Sequence, residues 1–157
     1  MRAMNKFLLC AILPGFALVL AFVPQRAASG SSQNPGAESV PAFHAQPPEG
    51  PLPQTMSPEL FTDPVIKNAY AAAARVKKTL YQQPCYCYCD RSQGHGSLLD
   101  CFASRHGSGC ETCVREALYT YEQSRKGKTP AQIREGIERG EWQTVDLSKY
   151  QKPIPAK

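Results

Sequence analysis

No stretch of this chain alternates apolar and polar residues as a half-buried strand does, and no nucleophile elbow or other catalytic motif occurs in it. A β-sheet fold and hydrolase chemistry therefore both lack support. Asp90, Asp100 and Glu111 read as helix caps or solvated charges rather than as an acid-base pair. Excess charge of one sign is also scarce. The formal charge is +5, and loss of an N-terminal segment carrying Arg2, Lys6 and Arg26 would reduce it to +2. No nucleic-acid partner is implied, and Arg125-Lys126-Gly127-Lys128 is a basic helix end too short to form such a site. With 157 residues in all, and unlike regions among them, a large two-domain enzyme is excluded.

Long apolar runs are confined to Phe7–Val23, which follows the basic Arg2 and Lys6 and is interrupted by Pro14 and Gly15. Residues 1–29 read as a signal sequence, with Ala27-Ala28-Ser29 offering small residues for processing; an uncleaved N-terminal anchor is the alternative. Any contact with a membrane is expected through this segment alone. Cys10 lies too early for lipid attachment, and there is no twin arginine, so export is expected before folding and without a preassembled cofactor. Residues 30–58 hold seven of the fourteen prolines and one aromatic residue, Phe43. This composition predicts a disordered, extended linker in which His44 is solvated. Residues 59–150 form the expected folded domain, and 151–157 a disordered tail.

Within the domain the periodicity is helical. Asp63-Pro64 starts a helix with Val65, Ile66, Ala69, Tyr70, Ala73, Val76 and Leu80 on its apolar face, ending near Tyr81 ahead of Pro84. Ser97 and Asp100 open a short helix that stops by Gly107. Ser108 and Glu111 form a second capping signature, after which Cys110, Cys113, Val114, Ala117, Leu118 and Tyr121 make one inward stripe. Thr129-Pro130-Ala131-Gln132 opens a last helix through Ile133 and Ile137, with Trp142 covering the bundle end. The predicted fold is a small all-α domain of three or four helices with a Cys-rich loop.

Six of the seven cysteines, Cys85, Cys87, Cys89, Cys101, Cys110 and Cys113, fall in one 29-residue stretch. If Cys85-Tyr86-Cys87-Tyr88-Cys89 is extended, its thiols point one way, with neighbouring Cα atoms about 6.5 Å apart. Pairing within the triplet would be strained, so each thiol is expected to seek a downstream partner. Cys110 and Cys113, three apart at a helix start, share a face, and the helix dipole favours thiolate at Cys110. His95 and His106 flank the same hairpin and offer imidazoles.

Four readings compete. Clustered thiolates and imidazoles suit a soft or borderline ion, copper or zinc. Three disulfides would staple a small exported interaction module. Cys110-Glu111-Thr112-Cys113 would serve a thiol-disulfide oxidoreductase, although the strand pattern of a thioredoxin-like fold is missing. An iron-sulfur centre is disfavoured by export in the unfolded state.

The segments Pro84-Cys85-Tyr86-Cys87-Tyr88-Cys89, Gly94 to Phe102, His106 to Cys113 and Thr129 to Arg134 resemble a family of exported bacterial proteins named for a PCYCGC motif. Many of its members are lipoproteins. The resemblance spans Asp63 to Ile137 and implies a bacterial envelope location, in the periplasm or on the outer face of the cytoplasmic membrane. It also implies that the cysteines and histidines act as one unit, and it supplies no activity. Tyr88 stands where the motif has glycine, and the lipid-attachment cysteine is absent. The expectation is a non-catalytic carrier, sensor or buffer that binds copper, or alternatively zinc, through a subset of Cys85, Cys87, Cys89, Cys101, Cys110 and Cys113, with His95 or His106 assisting. An envelope metal-handling or redox protein would be its partner.

Overall fold

In the computed structural model, which describes residues 39–155, Asp63 caps the first helix. Its Oδ1 accepts from the backbone N–H groups of Val65 and Ile66 at 2.8 and 3.0 Å, and Pro64 occupies the first turn, where its missing donor costs nothing. Helix α1 (Pro64–Arg75) ends where β-branched Val76 leaves helical geometry at φ −121° and ψ 30°, and α2 (Lys77–Leu80) continues to the expected stop before Pro84. What reads in sequence as one helix is thus two. A short α3 (Cys89–Gln93), which no sequence signal announced, precedes α4 (Leu98–Phe102). The long α5 (Glu111–Arg125) and α6 (Pro130–Glu138) complete an all-α domain, and no strand occurs among the described residues.

The core lies mainly between α1 and α5, with α2 and α4 closing its sides. Tyr70, Ala69, Ala72 and Ala73 of α1, Leu80 of α2, Leu98, Leu99 and Phe102 of α4 and Leu118 of α5 have no exposed surface. Alanines on α1 let the helices approach closely, and aromatic edges fill the remaining space: Phe102 meets Tyr70 edge-on at 4.9 Å between ring centroids. The Tyr70 hydroxyl donates to the Ser104 carbonyl at 2.7 Å, fixing the chain as it leaves α4. Thr129 and Gln132 form the expected reciprocal cap of α6. Trp142, in the 3-10 turn Glu141–Thr144, packs against the core as expected.

The cap expected for α5 is different. Ser108 does not cap it; its hydroxyl donates to the Arg105 carbonyl at 2.7 Å inside a 3-10 turn, His106–Gly109, and Cys110 takes the capping position without a side-chain hydrogen bond. The turn lies so close to α4 that a Cβ on Gly107 would stand 2.9 Å from the Cys101 carbonyl oxygen.

Residues 39–58, expected as a disordered linker, run over the helices instead. Pro41 is fully buried, the Met56 N–H donates to the Phe102 carbonyl at 2.9 Å, and the Ala42 N–H donates to Asp90 Oδ2 at 3.0 Å. His44, expected to be solvated, is exposed but stacks on Tyr81, with ring centroids 3.9 Å apart and planes 4° from parallel. A segment too poor in apolar residues for a core of its own can still be held on one already formed, by a few anchors and preset proline geometry. The tail 151–155, also expected as disordered, is tied down by Asn68, whose amide donates to the carbonyls of Tyr150 and Lys152 and accepts from the Ile154 N–H. The predicted export segment 1–29, the first residues of the linker and the last two of the tail lie outside the described residues. No described helix is long and apolar enough to cross a membrane.

Candidate metal centre

The cysteine triplet is not extended. The Tyr88 N–H closes a turn onto the Cys85 carbonyl at 3.0 Å, and Tyr88 then adopts φ 55° and ψ 33° before α3 begins at Cys89. This fold of the chain brings the Cys85 and Cys87 sulfurs to 3.3 Å, closer than an extended run would, while each thiol also meets a downstream sulfur as expected, Cys113 for Cys85 and Cys87 and Cys101 for Cys89. Two long-range bonds hold the turn in place. The Leu98 N–H donates to the Gln83 carbonyl at 2.9 Å, tying α4 to the residue before Pro84, and the Tyr86 N–H donates to Glu116 Oε1 on α5 at 2.9 Å.

Cys113, in the first turn of α5, completes a sulfur triangle, 3.4 Å from Cys85 and 3.6 Å from Cys87. His106 presents Nε2 to Cys87 at 3.7 Å from the 3-10 turn. Beside this triangle lies another, in which Cys89 and Cys101 are 3.4 Å apart and His95 Nδ1 stands 3.2 and 3.4 Å from them. Asp100 positions the loop that carries His95, its Oδ2 accepting from the Gly96 and Ser97 N–H groups at 2.7 and 3.2 Å. The two imidazoles meet edge to face at 5.0 Å. Four groups with ligand atoms mutually within 4.8 Å overlap here: Cys89, His95, Cys101 and His106; Cys85, Cys101 and Cys113; Cys85, Cys87 and Cys89; and Cys87, His106 and Cys113.

Cys110 belongs to none of these groups. Spacing of three shares a face only when both residues are helical, and Cys110 sits at the cap with φ −132° and ψ 108°. It lines a shallow cavity with Asp63, Ile66, Ser108 and Gly109. The expected low thiol is not at this helix start either, since burial pushes the Cys110 thiol up. Cys87 is the thiol held below its ordinary range, by the neighbouring thiols of Cys101, Cys113 and Cys85. All six described cysteines are free thiols.

The centre has a floor and a rim. Cys85, Cys89, Cys101 and Cys113 are buried, whereas Cys87, His95 and His106 are partly exposed. One buried neighbour of the thiols was missed in the sequence. Glu116 has no exposed surface; Oε1 takes the Tyr86 N–H, Oε2 has no partner, and burial raises the carboxyl to about 8. Its signal was its position three residues after Cys113, one turn along the same face of α5.

The chain matches the family described as "Protein of unknown function with PCYCGC motif" over residues 51–155. It belongs to that family. No curated protein and no solved structure matches it. The match begins inside the segment expected as linker, in keeping with the contacts that hold this segment on the helices. In the PCYCGC-motif family the fifth motif position is glycine by name, and here it is Tyr88, the one described non-glycine residue at positive φ. Glycine takes that conformation freely, whereas a tyrosine pays about 1 to 2 kcal/mol for it. Arg91 lies over the Tyr88 ring, 4.2 Å from its centroid, which offsets part of that cost.

Proposed function

We propose that this domain is a non-catalytic soft-metal carrier or buffer of the bacterial cell envelope, with Cu(I) as its preferred ion. The observation that carries the proposal is the convergence of five thiols and two imidazoles from separate turns and helices on one centre. A floor of buried sulfurs favours retention of a thiophilic ion. The partly exposed rim of Cys87, His95 and His106 lets an ion arrive and leave by ligand exchange, which a closed structural zinc site would not need. The excess of sulfur over nitrogen favours Cu(I) over Zn(II). Export through residues 1–29 would place the domain where an envelope metal-handling protein could load or unload it.

The test is metal analysis of protein isolated anaerobically from its native compartment, together with a thiol count under denaturing conditions before and after reduction. Bound copper with free thiols is the expected result. Three disulfides and no metal would overturn the reading in favour of a stapled interaction module.

A further inference from the structure

The two triangles share no member. Cys85, Cys87 and Cys113 stand 3.3, 3.4 and 3.6 Å apart, and Cys89, Cys101 and His95 Nδ1 stand 3.4, 3.2 and 3.4 Å apart. An ion bonded to sulfur at about 2.3 Å and to nitrogen at about 2.0 Å in tetrahedral array needs ligand separations of about 3.5 to 3.8 Å. Each triangle therefore has close to the edge lengths of one face of a coordination tetrahedron. Five thiols and two imidazoles also exceed the four ligands that one tetrahedral ion accepts.

We infer that each chain binds two soft metal ions side by side, one on Cys85, Cys87 and Cys113 and one on Cys89, Cys101 and His95, with His106 at the seam. This rests on the metal-binding reading above and adds stoichiometry and ligand assignment to it. His106 shares one group with Cys87 and Cys113 and another with Cys89, His95 and Cys101, so it is placed to complete either ion. Cys101 shares a group with Cys85 and Cys113, so sulfurs of the two triangles lie within 4.8 Å of one another. Charge favours double occupancy as well. Up to five thiolates in a largely buried centre leave a large negative charge, and a second cation removes more of it than a single ion can.

The experiment is an anaerobic titration of the reduced full-length chain with Cu(I) against a chromophoric Cu(I) chelator, followed by gel filtration and metal analysis, and repeated with Zn(II). Two ions per chain are expected with at least one of the metals. One ion per chain with both would overturn this inference and leave the metal reading intact; no retained ion would overturn both. X-ray absorption of the loaded wild-type protein needs no variant and should show a metal-metal contribution inside about 4 Å, and its absence at a loading of two would refute the side-by-side arrangement. Cys89→Ser with His95→Ala should lower the count from two to one, as should Cys87→Ser with Cys113→Ser. Either folded double variant that keeps two ions, or loses both, would overturn the ligand assignment, with circular dichroism reporting folding.

Discussion

Replacing Glu116 by glutamine should stabilise the metal-free domain, by an amount that depends on pH. The carboxyl is buried without surface exposure, one oxygen holds the Tyr86 N–H, and burial raises it from 4.5 to about 8. Because the folded-state value is the higher one, Glu116 contributes its full stability below about pH 4.5, and that contribution is lost as pH rises through about 8. The loss amounts to about 3 kcal/mol at pH 7 and approaches about 5 kcal/mol above pH 9. Glutamine keeps the carbonyl that accepts from Tyr86 and places an amide where the protonated oxygen stood, so the variant mimics the neutral acid at every pH. Urea denaturation of reduced, chelator-treated wild type and variant, from pH 5 to 8, measures the difference directly. The two should agree to within about 1 kcal/mol at pH 5 and separate by about 3 kcal/mol at pH 7, the variant being the more stable. Parallel stability curves would refute the claim that a neutral carboxylic acid lies beneath the thiols.

Other substitutions probe the supports of the site. Tyr88→Gly should be nearly neutral, because relief of the positive φ balances loss of the Arg91 contact, whereas Tyr88→Val should cost about 2 kcal/mol by thermal unfolding. Gly107→Ala forces a methyl against the Cys101 carbonyl, and calorimetry should find about 1 to 3 kcal/mol of destabilisation with weaker metal retention. Asn68→Ala removes three hydrogen bonds, one to the Tyr150 carbonyl and two to the C-terminal tail, and should cost about 2 to 4 kcal/mol, with faster proteolysis beyond Tyr150. Cys110→Ser should leave the metal count unchanged, and Cys113→Ser should lower it.

The parts of the fold legible in the sequence were those written in local chemistry. Asp63-Pro64 and Thr129-Pro130 announce helix starts through capping groups, and the stripe from Cys113 to Tyr121 announces a buried face through its period. The candidate site was legible as a composition, five of its six expected cysteines and both expected histidines being brought together. Its geometry was not. The turn at Cys85–Tyr88 depends on a tyrosine held at positive φ by its surroundings, and alternation alone suggested an extended run. Cys110 was misplaced because Ser108 reads as a cap, while a 3-10 turn delays the start of α5 by two residues. The ordering of 39–58 depends on a surface offered by the finished domain, and composition carries no trace of that surface. Glu116 carried only a positional signal, three residues after Cys113, and its burial depends on the packing of that helix face.

The central claim is that five sulfurs, with Cys110 excluded, act together as one metal centre. Thiol alkylation of the reduced chain with and without Cu(I), mapped by mass spectrometry, tests it most directly. Cu(I) should protect Cys85, Cys87, Cys89, Cys101 and Cys113 together and leave Cys110 open to reagent. Uniform labelling of all six despite the metal, or protection centred on Cys110 and Cys113 alone, would contradict the account.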